Sequence, residues 1–138
     1  MAGAKTSRSP YRANAMATQM GVPVPVLSIR VDLADGFRLG PGKVRLMELI
    51  AEHGSISGAG RAMGMSYRRA WLLVESLNEA FHEPVVVTQT GGSRGGGAGL
   101  TELGLSVVER YRSIEAKAAA AVSADLRALA SDALPARS

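Results

Sequence analysis

The chain has 138 residues, 46% hydrophobic and 20% charged, a length and composition that suit one domain with a modest core. It holds no cysteine, which excludes disulfides, thiol catalysis and cysteine-ligated zinc, and no apolar run approaches the roughly 18–20 residues that span a bilayer. The net charge of +4 is uneven: residues 1–72 carry ten Lys/Arg against four Asp/Glu, and residues 73–138 carry six against eight, so the first half suits a polyanionic partner.

Residues 1–24 include Pro10 and Pro23, show no periodicity, and read as a flexible basic N-terminal arm. They lack the apolar stretch of a secretory signal, a basic tail is favoured over a transit peptide, and a cytoplasmic location is expected. A DNA-binding domain is expected over residues 25–100. Within it, the alternation from Val26 to Leu33 predicts a short half-buried strand. Asp35-Gly36 and Gly40-Pro41-Gly42 mark turns, and a helix from Pro41 or Gly42 to His53 follows. Pro41 suits its first turn, Gly54 its C-cap, and Val44, Leu46, Met47, Leu49 and Ile50 its buried face.

Ser55 to Leu77 reads SISGAGRAMGMSYRRAWLLVESL, two short apolar-periodic segments meeting at Gly64. Ser55 and Ser66 are natural N-caps, Ala59 and Gly60 are small where two helices must cross, and Ala70, Leu73 and Leu77 line the inward side of the second helix. This is a helix-turn-helix pattern whose second helix presents Ser66-Tyr67-Arg68-Arg69 at its start. After Phe81 the pattern stops at His82-Glu83-Pro84, and the β-branched run Val85–Thr90 predicts a strand. The glycine-rich segment 91–99 follows, with a short return strand near Ala98–Leu100, so a β-hairpin wing is expected.

From Thr101, apolar residues Leu103, Val107, Tyr111, Ile114, Ala118, Val122, Leu126 and Leu129 recur at three- and four-residue steps. They predict one helix over residues 101–131, roughly 45 Å long, before a tail at 132–138. A small domain cannot cover such a stripe along its whole length. The expectation is a homodimer joined through this helix, with a fold-back on its own domain as the alternative. The fold class is therefore mainly α with a small β wing: a winged helix-turn-helix with a long C-terminal dimerisation helix.

Enzymatic readings find no support. The glycine-rich segment contains neither G-x-x-x-x-G-K-[ST] nor G-x-G-x-x-G, and His53 and His82 sit at predicted helix ends without clustered acids or a nucleophile. No cofactor, no metal site, no membrane segment and no small-molecule site are expected.

The stretch Val44–Tyr111, above all GSISGAGRAMGMSYRRAWLLVESLN and TGGSRGGGAGLTELG, resembles the N-terminal DNA-binding domain of the ModE family of molybdate-responsive transcriptional regulators. That domain is similar to the winged helix-turn-helix of LysR-type regulators. The resemblance implies that the helix from Ser66 to Phe81 enters the major groove, that the wing lies along the DNA, and that the last helix joins two subunits. ModE regulators carry C-terminal β-barrels that bind molybdate or tungstate. The present sequence stops at Ser138, so a stand-alone member without that route to oxyanion binding is expected.

Double-stranded DNA is the expected partner. Arg68 and Arg69 have the position and chemistry to bond guanine O6 and N7, Tyr67 either touches a sugar or packs on Trp71, and Ser66 caps while its neighbouring N–H groups suit a phosphate. Arg94 in the wing suits a phosphate or a narrow minor groove, and Ser93, Thr90 and Arg61 are further candidates for backbone contacts. The function these residues support is a dimeric, sequence-specific transcription regulator. Two readings stay beside it: a protein-interaction module that pairs with a full-length ModE-type regulator, and a non-specific nucleoid-type binder.

Overall fold

The computed structural model describes residues 25–89 and 97–133. The expected arm 1–24, the wing residues 90–96 and the end of the tail from 134 lie outside the described residues. Two compact units emerge: Ile29–Ser113, and a second that includes the helical residues from Ile114 onward.

The first unit opens with a minimal ladder. Strand β1 (Val31–Asp32) pairs antiparallel with β2 (Arg38–Leu39), in the register Val31↔Leu39 and Asp32↔Arg38. The strand expected over 26–33 is thus confined to two residues, because its partner across the tight Asp35-Gly36 turn offers only two. Helix α1 (Pro41–His53) follows with Pro41 in its first turn. Gly54 at its C-cap adopts φ 74° and donates its N–H to the Ile50 carbonyl. Helices α2 (Ile56–Ala62) and α3 (Tyr67–Ala80) come next, each opened by a serine cap.

Strand β3 (Val86–Gln89) pairs antiparallel with β4 (Gly97–Leu100), from Val86↔Leu100 to Gln89↔Gly97. This is the expected hairpin. Its base is fastened on two sides. The Ala98 N–H donates to the Gly54 carbonyl between α1 and α2, while the Asn78 side chain on α3 accepts from the N–H groups of Val85 and Val86 and donates to the Val86 carbonyl.

The core of this unit is apolar and centres on α1, whose Val44, Leu46, Met47 and Ile50 are fully buried and Leu49 nearly so. Ile56 and Ala59 from α2, Ala70, Val74 and Leu77 from α3, and Val85, Val86 and Tyr111 close around it. Each large aliphatic side chain so buried contributes about 1.5–3 kcal/mol, which makes α1 the support on which the helix pair rests.

Helix α4 (Glu102–Ala121) begins at the wing base. Thr101 accepts the Gly104 N–H on its hydroxyl oxygen, which in turn donates to the Pro84 carbonyl. A side chain at Gly104 would overlap the Val85 carbonyl oxygen, so glycine permits this close approach. Leu103, Val107, Val108 and Tyr111 pack on the core, and Arg112 grips Glu48 on α1 with two hydrogen bonds of 2.9 Å. For these reasons the unit reaches to Ser113, beyond the boundary expected at residue 100.

In the second unit the expected single helix over 101–131 is interrupted. α4 ends at Ala121, and α5 (Ser123–Asp132) starts after Val122, whose φ of −110° and ψ of 15° leave the helical region. A β-branched residue followed by serine, both modest helix formers, marks the break. No helix among the described residues is long and apolar enough to cross a membrane.

Candidate nucleic-acid interface

The geometry of the site begins at Gly64. Its φ of 71° is accessible to glycine at little cost and reverses the chain between α2 and α3. Met63 and Met65 on either side are half-buried against the core, and the Met65 N–H returns to the Gly60 carbonyl at 3.0 Å. A Cβ at Gly60 would stand 3.0 Å from that of Ala70, so small residues let the two helices cross closely.

Ser66 then caps α3 through its hydroxyl oxygen, which accepts the Arg69 N–H at 3.1 Å. Because this oxygen is engaged, a ligand at the helix start would meet the remaining free N–H groups of the first turn, at the positive end of the helix dipole. Tyr67, Arg68 and Arg69 occupy that turn and are exposed. Neither guanidinium forms an ion pair or a hydrogen bond with a described residue, so both are free to meet an external anion or base edge. Tyr67 stands edge-on to Trp71 with ring centroids 6.0 Å apart, yet remains 62% exposed. Both roles weighed for Tyr67 therefore remain geometrically compatible. Trp71 is half-buried at the core edge, its Nε1 without a hydrogen-bond partner among the described residues.

Arg61, on the last turn of α2, donates to the Ser57 hydroxyl at 2.8 Å and is held along its own helix. The structure thus brings Ser66, Tyr67, Arg68 and Arg69 together on one turn, with Arg61 on the preceding helix. Thr90, Ser93 and Arg94 fall in the connection between β3 and β4 and lie outside the described residues.

Other residues that position the site escape a local reading. Asn78 ties α3 to the hairpin, and Glu48, shared by Arg112 and at 3.5 Å by Arg45, ties α1 to α4. Asn78 stands among Glu75, Ser76 and Glu79, so nothing in the local sequence sets it apart. Glu48 and Arg112 are 64 positions apart and carry no local signal. Among the described residues no group of three or more His, Cys, Asp or Glu is placed to hold a metal ion.

A capped helix pair bent at a glycine, seated on a supporting helix and followed by a two-stranded hairpin, makes this a mainly α protein with a small β wing. Over about two thirds of its length the chain is similar to ModE-type regulators and molybdenum-pterin-binding proteins. It is 38% identical over 90 residues to the molybdenum-pterin-binding protein MopA of Rhodobacter capsulatus, covering 65% of the chain and 34% of that relative. Likeness to the molybdenum transport protein ModE of Azotobacter vinelandii is 38% over 85 residues, 62% of the chain and 32% of the relative. With the DNA-binding transcriptional dual regulator ModE of Escherichia coli it shares 37% identity over 71 residues, 51% of the chain and 27% of the relative. The chain therefore spans about a quarter to a third of the length of these curated relatives. No family model matches it.

Proposed function

We propose that this protein is a sequence-specific, DNA-binding transcription regulator that reads the major groove with the first turn of α3. The observation that carries the reading is the pair Arg68 and Arg69, exposed on the opening turn of a serine-capped helix whose opposite side is locked in the core. Such a turn can be laid against base edges without unfolding anything, and each arginine can bond guanine O6 and N7 with two donors. Relatives named as transcriptional regulators support the same assignment.

Arg94 and its neighbours Ser93 and Thr90 belong to this proposal as contacts to the sugar–phosphate backbone, as does Arg61. Affinity then comes largely from release of counterions by phosphate-bound arginines, and binding weakens steeply as salt rises. The apolar positions at Ile114 and Leu129, exposed in the chain alone, support a homodimer formed through the C-terminal helical segment. Two copies would read a two-fold site with half-sites about 34 Å apart, or a multiple of that.

The test is selection of duplexes from a random pool, followed by titration of the enriched site. Wild type should enrich a palindrome. Arg68→Ala and Arg69→Ala should lose discrimination between it and scrambled DNA, by about 1–3 kcal/mol for each base contact removed. Arg94→Ala should weaken all duplexes alike. Equal binding of the selected site by the Arg68/Arg69 double variant and by wild type would overturn the assignment.

A further inference from the structure

The outer surface of α3 holds one residue that its charge pattern does not explain. At about 100° per residue, Arg68, Leu72, Glu75 and Glu79 fall within about 60° of one another, on the side opposite the buried Ala70, Val74 and Leu77. All four are exposed, and Leu72 keeps half its surface in water. A single exposed leucine needs no explanation by itself. Leu72, however, is the one apolar member of an otherwise charged row, and it directly follows the arginine assigned to base reading.

The order along that row sets its chemistry. Arg68 supplies the cation at the helix start. Glu75 and Glu79 make the later turns unfavourable next to a polyanion, so the helix must approach DNA with its N-terminal end and tilt its C-terminal half away. Leu72 is then the last residue on the row that can reach a base. It lies about 6 Å along the axis from Arg68, one or two base-pair steps of about 3.4 Å. In the major groove the apolar feature available to an aliphatic side chain is the C5-methyl group of thymine.

We propose that Leu72 is a specificity-determining residue that packs on a thymine methyl group one or two base pairs from the base met by Arg68. This rests on the DNA-binding reading above and adds a base identity to it. Glu75, next along the row, sets the limit of the contact, because its carboxylate finds no cation among the bases and is repelled by phosphate.

The experiment takes the duplex enriched by wild type and replaces each thymine, one position at a time, with deoxyuracil, which lacks only the methyl group. One position in each half-site should weaken wild-type binding about fourfold, the effect of burying a single methyl group. L72S should bind the thymine and uracil versions of that position equally, while L72M should keep the sensitivity. Circular dichroism and thermal melting of both variants should match wild type, since the side chain lies outside the core. The proposal fails if no thymine is sensitive to methyl removal, or if L72S retains the sensitivity. In either case, enrichment of a palindrome by wild type would leave the DNA-binding assignment standing. Failure to enrich any duplex would remove both.

Discussion

Two stretches of this chain show the same helical periodicity in apolar residues and meet opposite fates. In α3 the inward positions Ala70, Val74 and Leu77 are all buried, and the outer side, charged but for Leu72 along its central row, is thereby rigidly presented. Beyond Ser113 the stripe continues through Ile114, Val122, Leu126 and Leu129, yet none of these is buried, and Ile114 and Leu129 stand 40% and 65% exposed. Periodicity fixes which side of a helix seeks cover. What supplies the cover is a separate question, answered in the first stretch by α1 and left open to an outside surface in the second.

The sharpest way to break this contrast is to remove buried volume from α3. Leu77 is fully buried, so Leu77→Ala should destabilise the Ile29–Ser113 unit by about 2–5 kcal/mol in urea titration. A loss below about 1 kcal/mol would mean that α3 is not anchored as its burial indicates.

Next in size is Gly104→Ala. The added methyl group meets the Val85 carbonyl, a backbone atom that cannot rotate away, so α4 must shift from the wing base at a cost of about 1–3 kcal/mol. Thermal melting checks the stability. If the contact is as close as the geometry shows, no smaller side chain relieves it.

Asn78→Ala should cost somewhat less, about 1–2 kcal/mol. The change leaves the Val85 and Val86 N–H groups and the Val86 carbonyl without their side-chain partner, but the site is half-buried and water replaces part of the loss. Hydrogen exchange of Val86 and Val87 should accelerate more than that of α1. Uniform acceleration across the unit would show that Asn78 supports the whole fold and not the hairpin in particular.

These three effects also separate what was legible in the sequence from what was not. Ser55, Ser66 and Gly64 declare themselves because caps and left-handed turns are decided within three or four residues. The return strand at Gly97–Leu100 and the bounds of α1 follow from similarly local chemistry. The alternation over 26–33 overstates the first ladder, since a strand's length depends on its partner, and Arg38–Leu39 supplies two residues only. The break at Val122 is invisible to periodicity because the apolar spacing runs through it, with no glycine or proline to mark it. At the candidate interface the exposed arginine turn was readable from its place after the cap. The ties that hold it, Asn78 to the hairpin and Arg112 to Glu48, join residues brought together by folding alone.

The smallest effect on folding tests the second stretch most directly. Ile114→Ser combined with Leu129→Ser removes apolar surface that the chain by itself leaves in water. Unfolding of the Ile29–Ser113 unit should therefore change by no more than about 0.5 kcal/mol. If a second copy covers the stripe, the same variant should dissociate at concentrations where wild type sediments as a dimer, and its affinity for a two-fold site should fall toward that for a single half-site. The wild-type melting temperature should also rise with protein concentration, as linkage to association requires. Should the variant instead lose several kcal/mol at every concentration while wild type stays monomeric, the stripe would be packed within its own chain. The difference between the two stretches would then be one of degree, because a side chain already covered in the monomer registers its removal in folding and a side chain awaiting a partner registers it in assembly.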